Sequence, residues 1–382
     1  MTKTLWKYAL LFAALLAGAG AMRAQAPVGP IARRAGEPVQ QAPPDAQAQL
    51  KFGVQLVNMP VTVRNRAGEM VHDLEAKDFH ITDNGIEQKI THFDLGGDPA
   101  SIVFLIETSS RINTLLPEIH RTGILFTQTV MGRYGEGAVV GFNDGIDKLQ
   151  DFTSNADSIE NTVAQLQTGT SGLRLYDAMA VGVKMLSDLP QATPEKPGRR
   201  RVLLVMSEAV DTGSETKLGE VLRKAQLANV TIYTVGLSTT RAELHEQRRN
   251  TPQPITPPGI SPMPGPPGTA PTPSVQQATQ GGGADLLALA IWAVQHIHGE
   301  VKDRPLEVAT TATGGAYIST FKDRSIEKAI DEIGGELHAQ YTMSYVPTDG
   351  ADLGYHEIKV QVDRKDLKVR ARPGYYVAAP EG

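Results

Sequence analysis

The 382-residue chain contains no cysteine, which excludes disulfides, thiolate nucleophiles, Cys-ligated zinc and a lipid-modified cysteine anchor. It has no basic run longer than Arg199-Arg200-Arg201, and its formal charge is -5 at pH 7. Nucleic acid and anionic lipid are therefore not expected partners. There is no Gly-x-Ser-x-Gly elbow, Walker loop or His-Glu-x-x-His, so the short motifs that place a nucleophile, a phosphate or a catalytic zinc are missing. The apolar run from Tyr8 to Ala21 is diluted by Gly18 and Gly20 and is short for a bilayer span.

That run follows Lys3 and Lys7 and leads to Ala24-Gln25-Ala26, the layout of a cleavable export signal over residues 1–26. Cleavage would remove Lys3, Lys7 and Arg23 with no acidic residue, taking the formal charge from -5 to -8. The expectation is an exported protein, periplasmic or secreted, with no membrane insertion after cleavage. Residues 27–50 are rich in Pro, Ala and Gln without periodicity and predict a disordered leader. The whole chain is ordinary in composition, 41% hydrophobic and 21% charged, with material for a sizeable core.

Period-two alternation begins at Val54 in "VQLVNMPVTVRNRAGEMV" and returns in "DFHITDNGIEQKITHFD", where Asn84-Gly85 is a hairpin signal. An N-terminal β unit over 51–96 is expected. From Pro99 the rhythm changes to apolar strands alternating with helical patterns: "SIVFLIE", "GAVVGF", "RVLLVMSE" and "VTIYTVGL" are the strands. Strands that are apolar throughout predict a mostly parallel sheet with both faces covered. Residues 250–283 interrupt this α/β segment (100–340) with a Pro/Gly-rich insertion. The C-terminal strings "YTMSYVP", "YHEIKVQV" and "LKVRARPGYYV" (341–378) are strand-like again. The two β flanks are expected to pair, so the fold class is α/β: a doubly wound, mostly parallel sheet inserted in or flanked by an all-β sandwich.

The strand ending in "IETSS", then "TSGLRLYDAM", then "VLLVMSEAVDTGS" stand in the order found in von Willebrand factor type A domains. With the flanks "VHDLEAKDFHITDNGIEQKITHFD" and "LHAQYTMSYVP", the chain from Val54 to Val377, apart from the Pro/Gly-rich insertion, resembles the exported acidobacterial subgroup of such proteins. The resemblance implies a metal-ion-dependent adhesion site at the carboxyl ends of the strands, made by Asp-x-Ser-x-Ser, a Thr and an Asp around magnesium. The matching positions here are Glu107, Ser109, Arg111, Leu173 and Glu208, so only Ser109 keeps the family's residue.

This departure implies a degenerate site. Glu107, Ser109 and Glu208 remain as metal ligands, with no cofactor or only a weakly bound divalent cation such as magnesium, because longer carboxylates and a missing hydroxyl disturb octahedral geometry. Arg111 or Arg174 is expected to occupy the cation's place and neutralise Glu107 and Glu208.

Ser109, Ser110, Arg111, Leu173, Arg174 and Glu208 are expected to form a surface for a protein partner. The leading expectation is an exported, non-enzymatic protein-interaction module. The alternatives are a magnesium-type adhesion module and an exported hydrolase, which lacks a visible nucleophile–base pair.

The other candidates are weaker. His296 and His298 with Glu300 form the one local histidine cluster, but they end a helical run on which their side chains diverge. Tyr176 and Asp177 could suggest acid–base chemistry, yet they lie on a helix whose apolar face faces the core, where Asp177 is expected to orient a loop. Gly314-Gly315 predicts a helix stop, and Gly334-Gly335 a break within a helix.

Overall fold

The computed structural model describes residues 56–96, 99–190, 199–238, 286–301, 304–320, 325–347 and 352–377. The expected signal, the leader and the Pro/Gly-rich insertion lie outside the described residues. No helix among the described residues is long and apolar enough to cross a membrane.

The first β unit comprises β1 (Val57–Arg64), β2 (Phe79–Asp83), β3 (Ile86–Gln88) and β4 (Ile90–Leu95). Asn84 and Gly85 both have positive φ, the backbone a two-residue hairpin turn requires. The α/β part follows with β5 (Ala100–Glu107), α1 (Leu116–Arg121), β6 (Glu136–Phe142), β7 (Ile146–Thr153), α2 (Ala156–Ala164) and α3 (Leu175–Ser187). It continues through β8 (Arg200–Ser207), α4 (Leu218–Leu227), β9 (Val230–Gly236), α5 (Leu286–Gln295), α6 (Pro305–Thr313), β10 (Tyr317–Ser319) and α7 (Ile326–Ala339). The chain then returns to β structure with β11 (Tyr341–Tyr345), β12 (Gly354–Val362), β13 (Lys368–Arg370) and β14 (Gly374–Val377).

The central sheet has the order β10-β9-β8-β5-β6-β7, parallel except for β7, which runs antiparallel to β6. Strand β5 is buried along its whole length because it feeds two cores. Val103 and Leu105 point into the layer made with α3, α4, α5 and α6. Ile102, Phe104 and Ile106 point into the layer made with α1, α2, α7 and the π-helical stretch Phe126–Met131. This is the doubly wound sheet the apolar strands imply, since period-two side chains on a two-sided sheet must be apolar at both phases.

Both flanks build the sandwich. One sheet is β13-β1-β11-β4 and the other β14-β12-β2-β3, packed around Met59, Val61, Ile81, Met343, Ile358 and Tyr375. Two strings that read as continuous switch sheets. "QKITHFD" passes from β3 to β4 at Lys89, and "LKVRARPGYYV" divides at Pro373, with β13 pairing to β1 and β14 to β12.

Gly314 ends α6 with φ +81, as a left-handed helix stop does. Gly334 does not break α7, correcting that expectation. Its missing Cβ lets α7 close on the backbone of Thr129, where a Cβ would stand 2.6 Å from the carbonyl oxygen.

Candidate functional site

The carboxyl ends of β5 and β8 lie side by side in parallel register, with Ile106 opposite Met206. That brings Glu107 next to Ser207 and Glu208, residues a hundred positions away. Ser109 donates from its hydroxyl to Glu107 Oε1 at 2.5 Å. Ser207 donates to Oε2 at 2.8 Å and the Glu208 amide to the same oxygen at 2.9 Å. Glu107 is fully buried, and burial pushes its carboxyl above the usual range against the pull of these three donors.

The expected Arg replacement does not occur. The Arg111 Nε donates to the Ser171 carbonyl at 3.1 Å, because the short turn Ser110–Ile112, capped by Ser109, carries its side chain toward the 168–172 loop. Arg174 is held by Asp177, with Nε at 2.9 Å and Nη2 at 2.8 Å. Glu107 is stabilised by hydroxyls and an amide instead of a cation.

The magnesium ligand set fits poorly. Leu173 is wholly buried in the core beneath α3 and supplies no oxygen. Both Glu107 oxygens already accept hydrogen bonds, and no group of three metal-ligating His, Cys, Asp or Glu side chains forms among the described residues. Glu107, Ser109 and Glu208 do come together, but the bonds Glu107 makes are to its protein neighbours.

The expected partner surface also needs correction. Ser109 and Leu173 are fully buried and Glu208 nearly so. Of the six residues, Ser110, Arg111 and Arg174 are the ones partly open to solvent. The Ser110 amide donates to the Thr170 carbonyl at 2.9 Å, which joins this rim to the loop carrying Ser171.

A second group, not foreseen in the sequence, fixes the rim. Asp211 reaches from the loop after β8 to the first turn of α3, accepting from the Leu175 amide at 2.9 Å. Ser214 accepts from the amides of Tyr176 and Asp177 at 3.0 and 3.1 Å. Thr212 accepts from the Leu173 amide at 2.8 Å. In return Asp177 accepts from the amides of Thr216 at 2.9 Å and Glu215 at 3.1 Å, the loop-orienting role expected of it. Burial pushes Asp177 up, but the Thr216 hydroxyl, the two amides and Arg174 outweigh it and hold the carboxyl below the usual range.

The legible signal was "DTGS" after a strand, a stack of capping residue types. Its ambiguity is that it caps α3 and not the helix that follows it. His296 stacks on Trp292 with centroids 5.0 Å apart and joins no ligand cluster among the described residues.

No protein-family profile and no curated protein matches the chain. Among solved structures, it is similar to the protein BatB of Bacteroides thetaiotaomicron, with 12% identity over 62% of this chain and 98% of that one, at a TM-score of 0.38. It is similar to the SpRpn10 VWA domain, with 11% identity over 38% of this chain and 79% of that one, at 0.29. A third is the vWF domain of the type V pili tip protein Mfa5 of Porphyromonas gingivalis, with 14% identity over 31% and 40% of the two chains, at 0.25.

Proposed function

We propose that the chain is an exported, non-enzymatic protein-interaction module of von Willebrand factor A type, whose adhesion site is degenerate and works without a metal. The observation that carries this reading is Glu107, which sits where a metal-binding carboxylate would and has both oxygens engaged by Ser109, Ser207 and the Glu208 amide. A carboxylate so bonded would lose three hydrogen bonds on turning to a cation. Arg111, Ser110 and Arg174 stand on a rim fixed by Asp211, Thr212 and Ser214, at the strand ends where open parallel sheets carry their binding sites. A rigid rim lowers the ordering cost of binding a partner.

The hydrolase alternative gains no support. Ser109 and Ser207 are fully buried and bonded to a carboxylate, with none of the hydrogen bonds to a histidine base among the described residues, and none of the open approach, that nucleophilic catalysis needs.

The test is calorimetric titration of the chain with magnesium, together with capture of partners from the exported fraction in magnesium and in chelator. The expected results are no binding heat and capture that is equal in both buffers but lost in Arg111→Glu. Magnesium-dependent capture would restore the metal-dependent adhesion reading.

A further inference from the structure

The strands at the sheet edges differ in what they offer another chain. Strands β3, β10 and β13 are three residues long and β14 is four, and such short edges are poor templates for an added strand. Strand β7 is longer, but its pairing with β6 shifts register twice, and its Lys148 is held by its own Asp151 at 2.9 Å. Irregular pairing and charge are devices that blunt an edge. The remaining edge is β4, six residues from Ile90 to Leu95.

On its inner side β4 pairs with β11, Asp94 opposite Thr342 and His92 opposite Ser344. The Gly96 amide donates to the Gln340 carbonyl at 3.0 Å, which sets the phase of this ladder. Hydrogen-bonded and non-bonded pairs alternate along antiparallel strands, so Asp94 and His92 also turn their backbone groups to β11. Phe93 and Leu95 turn theirs to the open side, where no hydrogen bond meets them among the described residues. The register shift against β11 passes over Thr91 and leaves His92 to Leu95 regular. Phe93 packs into the sandwich core, so the side chains of His92 and Asp94 stand on the opposite face. His92 is exposed and Asp94 partly exposed, and neither side chain has a charged partner among the described residues.

We propose that β4 pairs with β4 of a second copy of this chain, antiparallel about a two-fold axis at Phe93. In that register the Phe93 amide of each copy donates to the Phe93 carbonyl of the other. His92 of each copy then stands opposite Asp94 of the other, at non-hydrogen-bonded positions where opposing side chains come closest. Because the axis repeats every contact, two groups left unpaired in one chain form two complementary pairs in the dimer. An axis at Leu95 would set Asp94 against Gly96 and satisfy no charge. The β13-β1-β11-β4 sheets of the two copies become one continuous sheet. The contact uses no residue of the rim around Arg111, and it stands whether or not that rim binds a partner.

The test is sedimentation velocity of the full chain over a concentration series of about 1–200 μM, since a single strand pair is small beside the interfaces of permanent dimers. The sedimentation coefficient should pass from that of a monomer to that of a dimer. Amide hydrogen exchange at Phe93 should slow about tenfold between the two ends of the series, whereas His92 and Asp94, already bonded to β11, should not change. His92→Asp sets carboxylates against each other on both sides of the axis and should raise the dimer Kd about tenfold. The swap His92→Asp/Asp94→His makes the pairs complementary again and should return the Kd to that of the parent. Circular dichroism checks that both variants keep the fold. A monomer at every concentration, Phe93 exchange independent of concentration, a Kd unchanged by His92→Asp, or a swap variant no tighter than His92→Asp would overturn the proposal.

Discussion

Replacing Glu336 by Gln tests a buried polar junction between sandwich and core. Glu336 projects from α7, its side chain 2% exposed, toward two strands of the sandwich. Oε2 accepts from Arg64 of β1 at 3.1 Å, and Oε1 accepts from Arg370 of β13 and from the Tyr233 hydroxyl of β9, the latter at 3.1 Å. Gln keeps the volume but removes the charge, and its amide must turn a donor toward a guanidinium. Breaking a fully buried ion pair costs about 3–5 kcal/mol. Arg64 and Arg370 are 29% and 36% exposed, so solvent recovers part of this, and a loss of about 2–4 kcal/mol is expected. Urea unfolding followed by circular dichroism measures it. A double-mutant cycle with Arg370→Met should give a coupling of about 1 kcal/mol or more. The apolar replacement Arg64→Met/Glu336→Leu/Arg370→Met should recover most of the parent's stability, because the desolvation cost is removed with the charges. A loss below about 1 kcal/mol for Glu336→Gln would refute a junction role for the triad.

Adjacent glycines in α7 should respond with opposite signs: Gly334→Ala drives a methyl into the Thr129 backbone and should cost about 1–3 kcal/mol, whereas Gly335→Ala enters open space and should stabilise by about 0.5–1 kcal/mol in the same assay. Arg111→Ser removes a single partly exposed bond to Ser171 and should change stability by less than about 0.5 kcal/mol; a larger loss, measured by denaturation, would return Arg111 to the role of counter-ion for Glu107. Asp177→Asn should cost about 1–2 kcal/mol at neutral pH through its bonds to Glu215, Thr216 and Arg174. Because the folded carboxyl lies below its ordinary 3.8, its stabilisation is present above that value and is lost as pH falls through the folded one. Stability curves of parent and variant should therefore converge in acid, and a constant gap would exclude the ionised form as the source.

What could be read in advance depended on how far each signal reaches along the chain. The buried strands β5, β8 and β9 declare themselves locally, since a two-sided sheet makes every position apolar. The pairing of the two β flanks was also legible, because a short β unit cannot cover its own apolar face. The sheet switches at Lys89 and Pro373 were not, because alternation continues through a crossing and only the identity of the partner strand changes. At the site, motif order located Glu107, Ser109 and Glu208 correctly as neighbours, since parallel register carries position from one strand to the next. It failed for Arg111, where direction is set by a single turn of backbone between Ser110 and Ile112, and for Leu173, whose apolar side chain follows the core once the Thr212 hydroxyl has accepted its backbone amide. With Leu173 drawn inward, Arg111 turned outward and Glu107 bonded to hydroxyls from both strands, the strand ends are closed by protein contacts that a metal would have to displace in order to bind there.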